Sequence, residues 1–312
     1  MVFCILLIML ASFTTTLNLR FQKPQRLELP GDYIRCKFSP DEQFLMVTAP
    51  KHKGIYLYDL EGDSIIRVSS EYGAGYRPDF SEDGTKIAYK ATSPNLYRLF
   101  LYDIPTGRKT ELRPASNLIG QPVFTHDGYI LVNYEGQLQK LTQQGKLVET
   151  IDHISSNIVV VTHSGKYLVY TSLSDRLWAY DLETEKKIAL TPDSMRFFSP
   201  LSSPTEDKIV ANRLGGNIYV IDVPSGKLRK IDRGDYYYFS PDGDWIFYTQ
   251  TEDNGEYITK GELYCKSVLG DKARHLDLDF DGIILSSSYS EKWGIAFVDN
   301  KGAVYLASYR NK

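Results

Sequence analysis

Convincing helical periodicity is missing from this 312-residue chain. No segment repeats apolar residues at helical spacing over three turns, which argues against helical bundles and layered α/β folds. Cysteine is scarce, at three residues. Cys36 and Cys265 fall on different predicted strands and read as two buried free thiols, so a disulfide framework is not supported. An excess of either charge is also lacking. The 36 basic and 39 acidic side chains leave a net charge of −3, without the basic stripe that nucleic acid requires. Catalytic signatures are equally thin. There is no Gly-x-Ser-x-Gly elbow, no phosphate-cradling Gly-Lys-Ser/Thr loop and no dinucleotide Gly-x-Gly-x-x-Gly. The five histidines and the cysteines show no zinc spacing. No run after the N-terminal stretch is long enough to cross a bilayer, so an integral membrane protein is not expected.

The one long apolar run is Val2 to Ala11. It is too short to span a membrane, which takes about 20 residues, but it fits a signal-peptide core followed by small polar residues. No lysine or arginine precedes it. The expectation is a signal peptide over residues 1–18, a single domain over 19–312, and a periplasmic or secreted location.

What the chain does have is repetition. The stretch Phe239-Ser240-Pro241-Asp242-Gly243-Asp244-Trp245-Ile246-Phe247-Tyr248 reads as a strand end, a tight turn and a second strand. Proline presets φ early in the turn, aspartate can bond its own backbone, and glycine takes the φ > 0 position. Related turns begin at Ser39, Ser81, Thr125, Thr162 and Ser203, with a degenerate seventh near Ser290. The strands after these turns can be anchored on Leu45, Ile87, Leu131, Leu168, Ile209, Ile246 and Ile295. A third strand follows in most units, often ending in Asp, then a glycine turn and a short fourth strand. Four antiparallel strands per unit of about 42 residues is the layout of a β-propeller blade.

The last unit stops after its third strand, Val304 to Ala307, whereas Pro24 to Leu29 precedes unit one as a spare fourth strand. The reading is therefore all-β, a seven-bladed β-propeller of four-stranded antiparallel blades closed by the N-terminal strand. The alternative is a six-bladed ring with one divergent appendage.

These turns resemble the WD40-like PD40 repeat known from the TolB propeller and from the propellers of prolyl oligopeptidase-type peptidases. Phe80 to Tyr89, Phe239 to Tyr248 and Pro200 to Ile209 carry the likeness. The resemblance implies a propeller across nearly all of residues 24 to 309, here read as free-standing, without the TolB N-terminal domain or a peptidase domain. It implies no particular activity.

In such rings the loops from strand four to the next strand one, and from strand two to strand three, surround one mouth of the channel. On this chain they hold His52, Tyr76, Arg77, Tyr97, Arg98, Arg176, Arg213, Tyr236 and Tyr257. Tyrosine and arginine combine contact area with directional hydrogen bonding, so these are the candidate partner-binding residues. Thr249 to Gly261 reads as a long insertion between strands two and three of unit six. The function expected is non-catalytic binding of a protein, peptide or glycan. The alternative is a lyase or hydrolase acting on a polysaccharide in the channel, for which no converging acid and base are evident. No catalytic residue, resident metal or cofactor is assigned. Calcium at Asp277, Asp279 and Asp281 is kept open, although no complete twelve-residue calcium loop is present.

Overall fold

The computed structural model describes residues 19–310 except 152, 153, 155 and 271; the apolar run assigned to a signal peptide lies outside them. The described residues form seven four-stranded antiparallel sheets. Blade one is typical. Its strands are Arg35–Phe38, Phe44–Thr48, Ile55–Asp59 and Ser64–Ser69, paired in that order from channel to rim.

Strand alternation explains how the blades stack. Successive side chains point to opposite faces, so Leu45 and Val47 join the core shared with blade seven while Met46 enters the core shared with blade two. Blade two repeats the division: Ile87, Tyr89 and Ala91 face blade one, and Ala88 faces blade three. Seven apolar clusters result, one in each wedge between neighbours. Burying one Leu, Ile or Val contributes about 1.5–3 kcal/mol, so every blade depends on both neighbours for its core.

The ring is closed as expected. Gln25–Arg26 pairs antiparallel with Val304–Ala307, with Gln25 opposite Leu306 and Arg26 opposite Tyr305. Leu27 N–H donates to the Val304 carbonyl at 2.9 Å, and Phe21 bridges Tyr309. Aromatic rings reinforce the joint and the wedge beside it. Phe21 stacks on Tyr309 at 5.6 Å at the joint, and between blades six and seven Phe247 stacks on Tyr289 at 4.8 Å and on Tyr238 at 5.4 Å. The cysteines are free and buried; burial pushes the Cys265 thiol pKa up to about 12.

Two details correct the sequence reading. In blade three Phe124 pairs with Ile130, as Phe80 pairs with Ile87 in blade two, so Leu131 lies one residue past the equivalent position. The turn there is one residue shorter, with Thr125 N–H bonding the Tyr129 carbonyl. The second concerns the insertion in blade six, which is mostly strand. Trp245–Asp253 and Ile258–Ser267 stay paired out to Asp253 opposite Ile258, with a register shift after Glu252 opposite Lys260. Only residues 254–257 form the turn, where Gly255 takes φ +88 beside Asn254, a standard hairpin pairing.

Candidate functional site

The two ends of the channel are built differently. On one, which we term the turn face, each Ser/Thr-x-Asp turn satisfies itself and its neighbour. Ser81 Oγ donates to Asp83 at 2.6 Å, and Thr125 and Ser240 do the same with Asp127 and Asp242. Three such bonds hold the Asp83 carboxyl down, at about 2, through Ser81 first and then the Thr85 amide.

Neighbouring turns then link across blades. His126 lies 3.6 Å from Glu82, and its Nε2 is 3.1 Å from the Thr162 carbonyl. Ser164 donates through both N–H and Oγ to Asp207, at 2.8 and 2.7 Å. Thr205 Oγ1 donates to the Asp242 carbonyl, and Trp293 Nε1 to that of Glu42. His126 and His163, ring centroids 6.1 Å apart, belong to this annulus. Turn geometry accounts for them.

The opposite end, the loop face, carries the predicted partner-binding residues, and the structure sorts them into two groups. His52, Tyr76, Arg77 and Tyr236 come together at the channel mouth. The Gly75 N–H donates to the His52 carbonyl at 3.1 Å, and the His52 and Tyr76 rings meet edge to face at 5.0 Å. Arg77 reaches from the loop before blade two to blade five, donating from Nη2 to the Pro200 carbonyl at 2.9 Å. Burial, the largest influence, pulls the Arg77 pKa below its ordinary value. It also lowers the His52 pKa, and the nearby Arg35 charge adds to that effect.

The remaining five candidates stand apart. Arg98 forms a two-pronged ion pair with Glu111, at 3.0 and 2.6 Å, inside blade two. Tyr97 begins that same strand, under Lys90 Nζ at 4.5 Å. Arg176 is held by Asp193 and the Thr191 carbonyl, over the Trp178 ring. Arg213 ends the second strand of blade five. Tyr257 is exposed at the tip of the blade-six hairpin.

Sequence reasoning missed several members of the mouth cluster. Arg35, first residue of the innermost strand of blade one, faces the Tyr236 ring at 5.6 Å across the opening. Tyr237 Oη accepts from Asn212 N–H at 2.9 Å and donates to the Ser199 carbonyl at 2.8 Å, locking blade six to blade five. Position was the available signal, because the first residues of every innermost strand must border the mouth.

The mouth also carries backbone strain, as do turns elsewhere. Lys51, His52, Arg77, Ser199 and Tyr236 all have φ between +52 and +58, a region that disfavours side chains carrying a Cβ. Such conformations persist only where their surroundings impose them, and they concentrate at functional sites. Exposed apolar surface favours the loop face. Tyr72, Tyr76, Leu96, Leu118, Leu173, Phe198, Leu214, Tyr236, Tyr257 and Ile258 lie on the loop face. Leu147, Val148, Leu182 and Leu269 lie elsewhere.

A cavity of about 670 Å³ opens over blade four between Ser156, Leu173 and Trp178. It lacks the convergent cations of the mouth, and the mouth is the better candidate site. Among the described residues no three His, Cys, Asp or Glu side chains group to hold a metal. At the position considered for calcium, Asp277 Oδ1 accepts the Asp279 N–H at 3.0 Å within a local turn. Among the described residues no helix is long and apolar enough to cross a membrane.

Known structures include a close match in architecture. The β-propeller domain of Cps50 (Swd1) from Myceliophteria thermophila is similar with a TM-score of 0.67, over 93% of this chain and 100% of that one. The chain has a WD40-type seven-bladed propeller fold. Sequence identity to that domain is 14%, so the likeness concerns the fold alone. No family model matches this chain, and no curated protein matches it by sequence.

Proposed function

We propose that this propeller is a non-catalytic binding module that takes a protein, peptide or glycan partner on its loop face and at the channel mouth. The observation that carries this reading is the asymmetry between the two ends. Most exposed aromatic and aliphatic side chains, and the arginines of the mouth that lack a carboxylate partner, share one face. Apolar exposure concentrated on one face is in keeping with an interaction surface, and tyrosine and arginine lead among binding hot spots. Propellers commonly serve as interaction scaffolds, in keeping with this assignment.

The reading includes export by a signal peptide over residues 1–18, and it keeps the PD40 and TolB-like resemblance of the turns as a working kinship. Pull-down from the native envelope fraction tests both halves. The folded chain should retain a partner there, and the combined Arg77→Ala, Arg213→Ala, Tyr236→Ala variant should lose it. Unchanged capture by that variant, with the circular dichroism of the parent, would sink the loop-face assignment. Retention of the chain in the cytoplasm with its N-terminal residues uncleaved would sink export.

A further inference from the structure

The chemistry of the mouth narrows the class of partner it could hold. On the blades and turns, several lysines sit beside a carboxylate: Lys109 with Glu71, Lys140 with Asp127, Lys166 with Glu183, Lys260 with Glu262 and Lys292 with Glu61. The cations at the mouth have neutral partners instead. A guanidinium has five N–H donors, and for Arg77 the bond formed among the described residues goes to the neutral Pro200 carbonyl. Arg35 faces the π surface of Tyr236 and forms no hydrogen bond or ion pair among the described residues. Lys90 donates to the Ile119 carbonyl at 2.9 Å and, with Gln121 in the amide orientation that satisfies both its ends, to Gln121 Oε1 at 3.0 Å. That same Gln121 donates to the Tyr76 carbonyl, so Lys90 belongs to the wall beside Arg77.

The carboxylates nearby are already engaged. Asp79 accepts the Phe124 N–H at 2.9 Å and lies 3.8 Å from Lys37, while Asp235 accepts from Asn212. The half-buried Arg77 guanidinium, with a neutral partner, is poorly compensated, and a carboxylate entering between it and the exposed Arg35 would supply charge-assisted hydrogen bonds to both. Tyr76 and Tyr236, each more than a third exposed, flank the opening as contact surface for the groups on either side.

The geometry points to an acidic peptide segment as the occupant, with a Glu or Asp carboxylate seated between Arg35 and Arg77 and neighbouring apolar residues laid over Tyr236, Phe198 and Leu214. This specificity rests on the loop-face reading above and adds the chemical class. Nucleic acid fits less well, because the net charge of −3 would repel a polyanion beyond the small basic opening.

The test is to pan the full chain against a displayed library of random twelve-residue peptides and to measure the enriched sequences by fluorescence anisotropy. Enriched peptides should carry Asp or Glu beside apolar residues. Affinity should fall roughly ten-fold or more on Glu→Gln replacement in the peptide, and equally on Arg35→Met or Arg77→Met in the protein. Arg35 is exposed, so its variant remains informative if Arg77→Met fails to fold. Neutral or basic peptides that lose affinity with Tyr236→Ala but not with Arg35→Met would overturn the acidic specificity and spare the loop face. Peptides insensitive to all three variants would overturn both. No enrichment, or binding of inorganic phosphate with no preference for acidic peptides, would overturn the acidic-peptide assignment.

Discussion

The turn face and the loop face are made by the same chain reversing direction in the same blades, yet their polar groups meet different fates. On the turn face a serine or threonine, an aspartate and a glycine close each turn, and the next blade's turn takes up what is left over. At the mouth on the loop face Arg77 ends on a neutral carbonyl and Arg35 on a tyrosine ring, five non-glycine residues hold positive φ, and apolar side chains face outward. One end is organised for folding. The other keeps unmet capacity, as a surface reserved for a partner would.

The contrast can be broken at either end. The largest effect on stability belongs to the turn face. Gly145 has φ +79, and a Cβ there would run into the Leu112 backbone carbonyl of the neighbouring blade. Gly145→Ala should cost about 3 kcal/mol, from left-handed strain plus a clash that backbone cannot relieve cheaply. Urea unfolding checks the loss, and the residual folded protein should bind peptide with parental affinity.

Ser199→Gly should act in the opposite sense. It relieves a φ of +53 at the mouth and should raise stability by about 0.5–1 kcal/mol. Binding should weaken modestly, because the Ser199 carbonyl anchors Tyr237 and a freer backbone holds that anchor less firmly. A glycine variant less stable than the parent would show that the conformation is not strained.

A smaller effect separates the ends by pH. Burial, then Arg35, lowers the His52 pKa below 6.5, so the unfolded chain takes up this proton first. His52 therefore subtracts from stability as pH falls below about 6.5, and His52→Gln should flatten the decline there. Asp83 acts in the same direction but in a more acidic window. Its folded pKa of about 2 lies below the ordinary 3.8, so its contribution is full above about pH 4 and is lost as pH falls toward 2. Asp83→Asn should remove that acid-side loss and cost about 0.5–1 kcal/mol at neutral pH, solvent screening included. Stability measured against pH for both variants distinguishes the two windows.

The sequence made the turn face legible and left the loop face only partly so. Turn chemistry is local: Ser240, Asp242 and Gly243 announce their geometry within four residues, and repetition of that pattern counts the blades. Register was nearly as accessible, failing in blade three because a shortened turn moved the strand by one residue. The hairpin of blade six was misjudged because charged alternation from Gln250 to Glu262 hides a strand pattern that lacks an apolar face.

The site was harder for a physical reason. Arg98 and Arg77 look alike in sequence, but Arg98 lies across a strand pair from Glu111 while Arg77 projects over the channel to blade five. That difference depends on partners tens of residues away. Arg35 was overlooked because it belongs to a strand, and strands were read for packing.

Hydrogen–deuterium exchange of the full chain, free and saturated with an enriched acidic peptide, tests the central claim most directly. Protection should appear at residues 35, 72–77, 198–201 and 235–237, leaving the turns at 39–42, 81–84 and 240–243 unchanged. Protection centred on those turns, or along the outer strands, would contradict assignment of binding to the loop face.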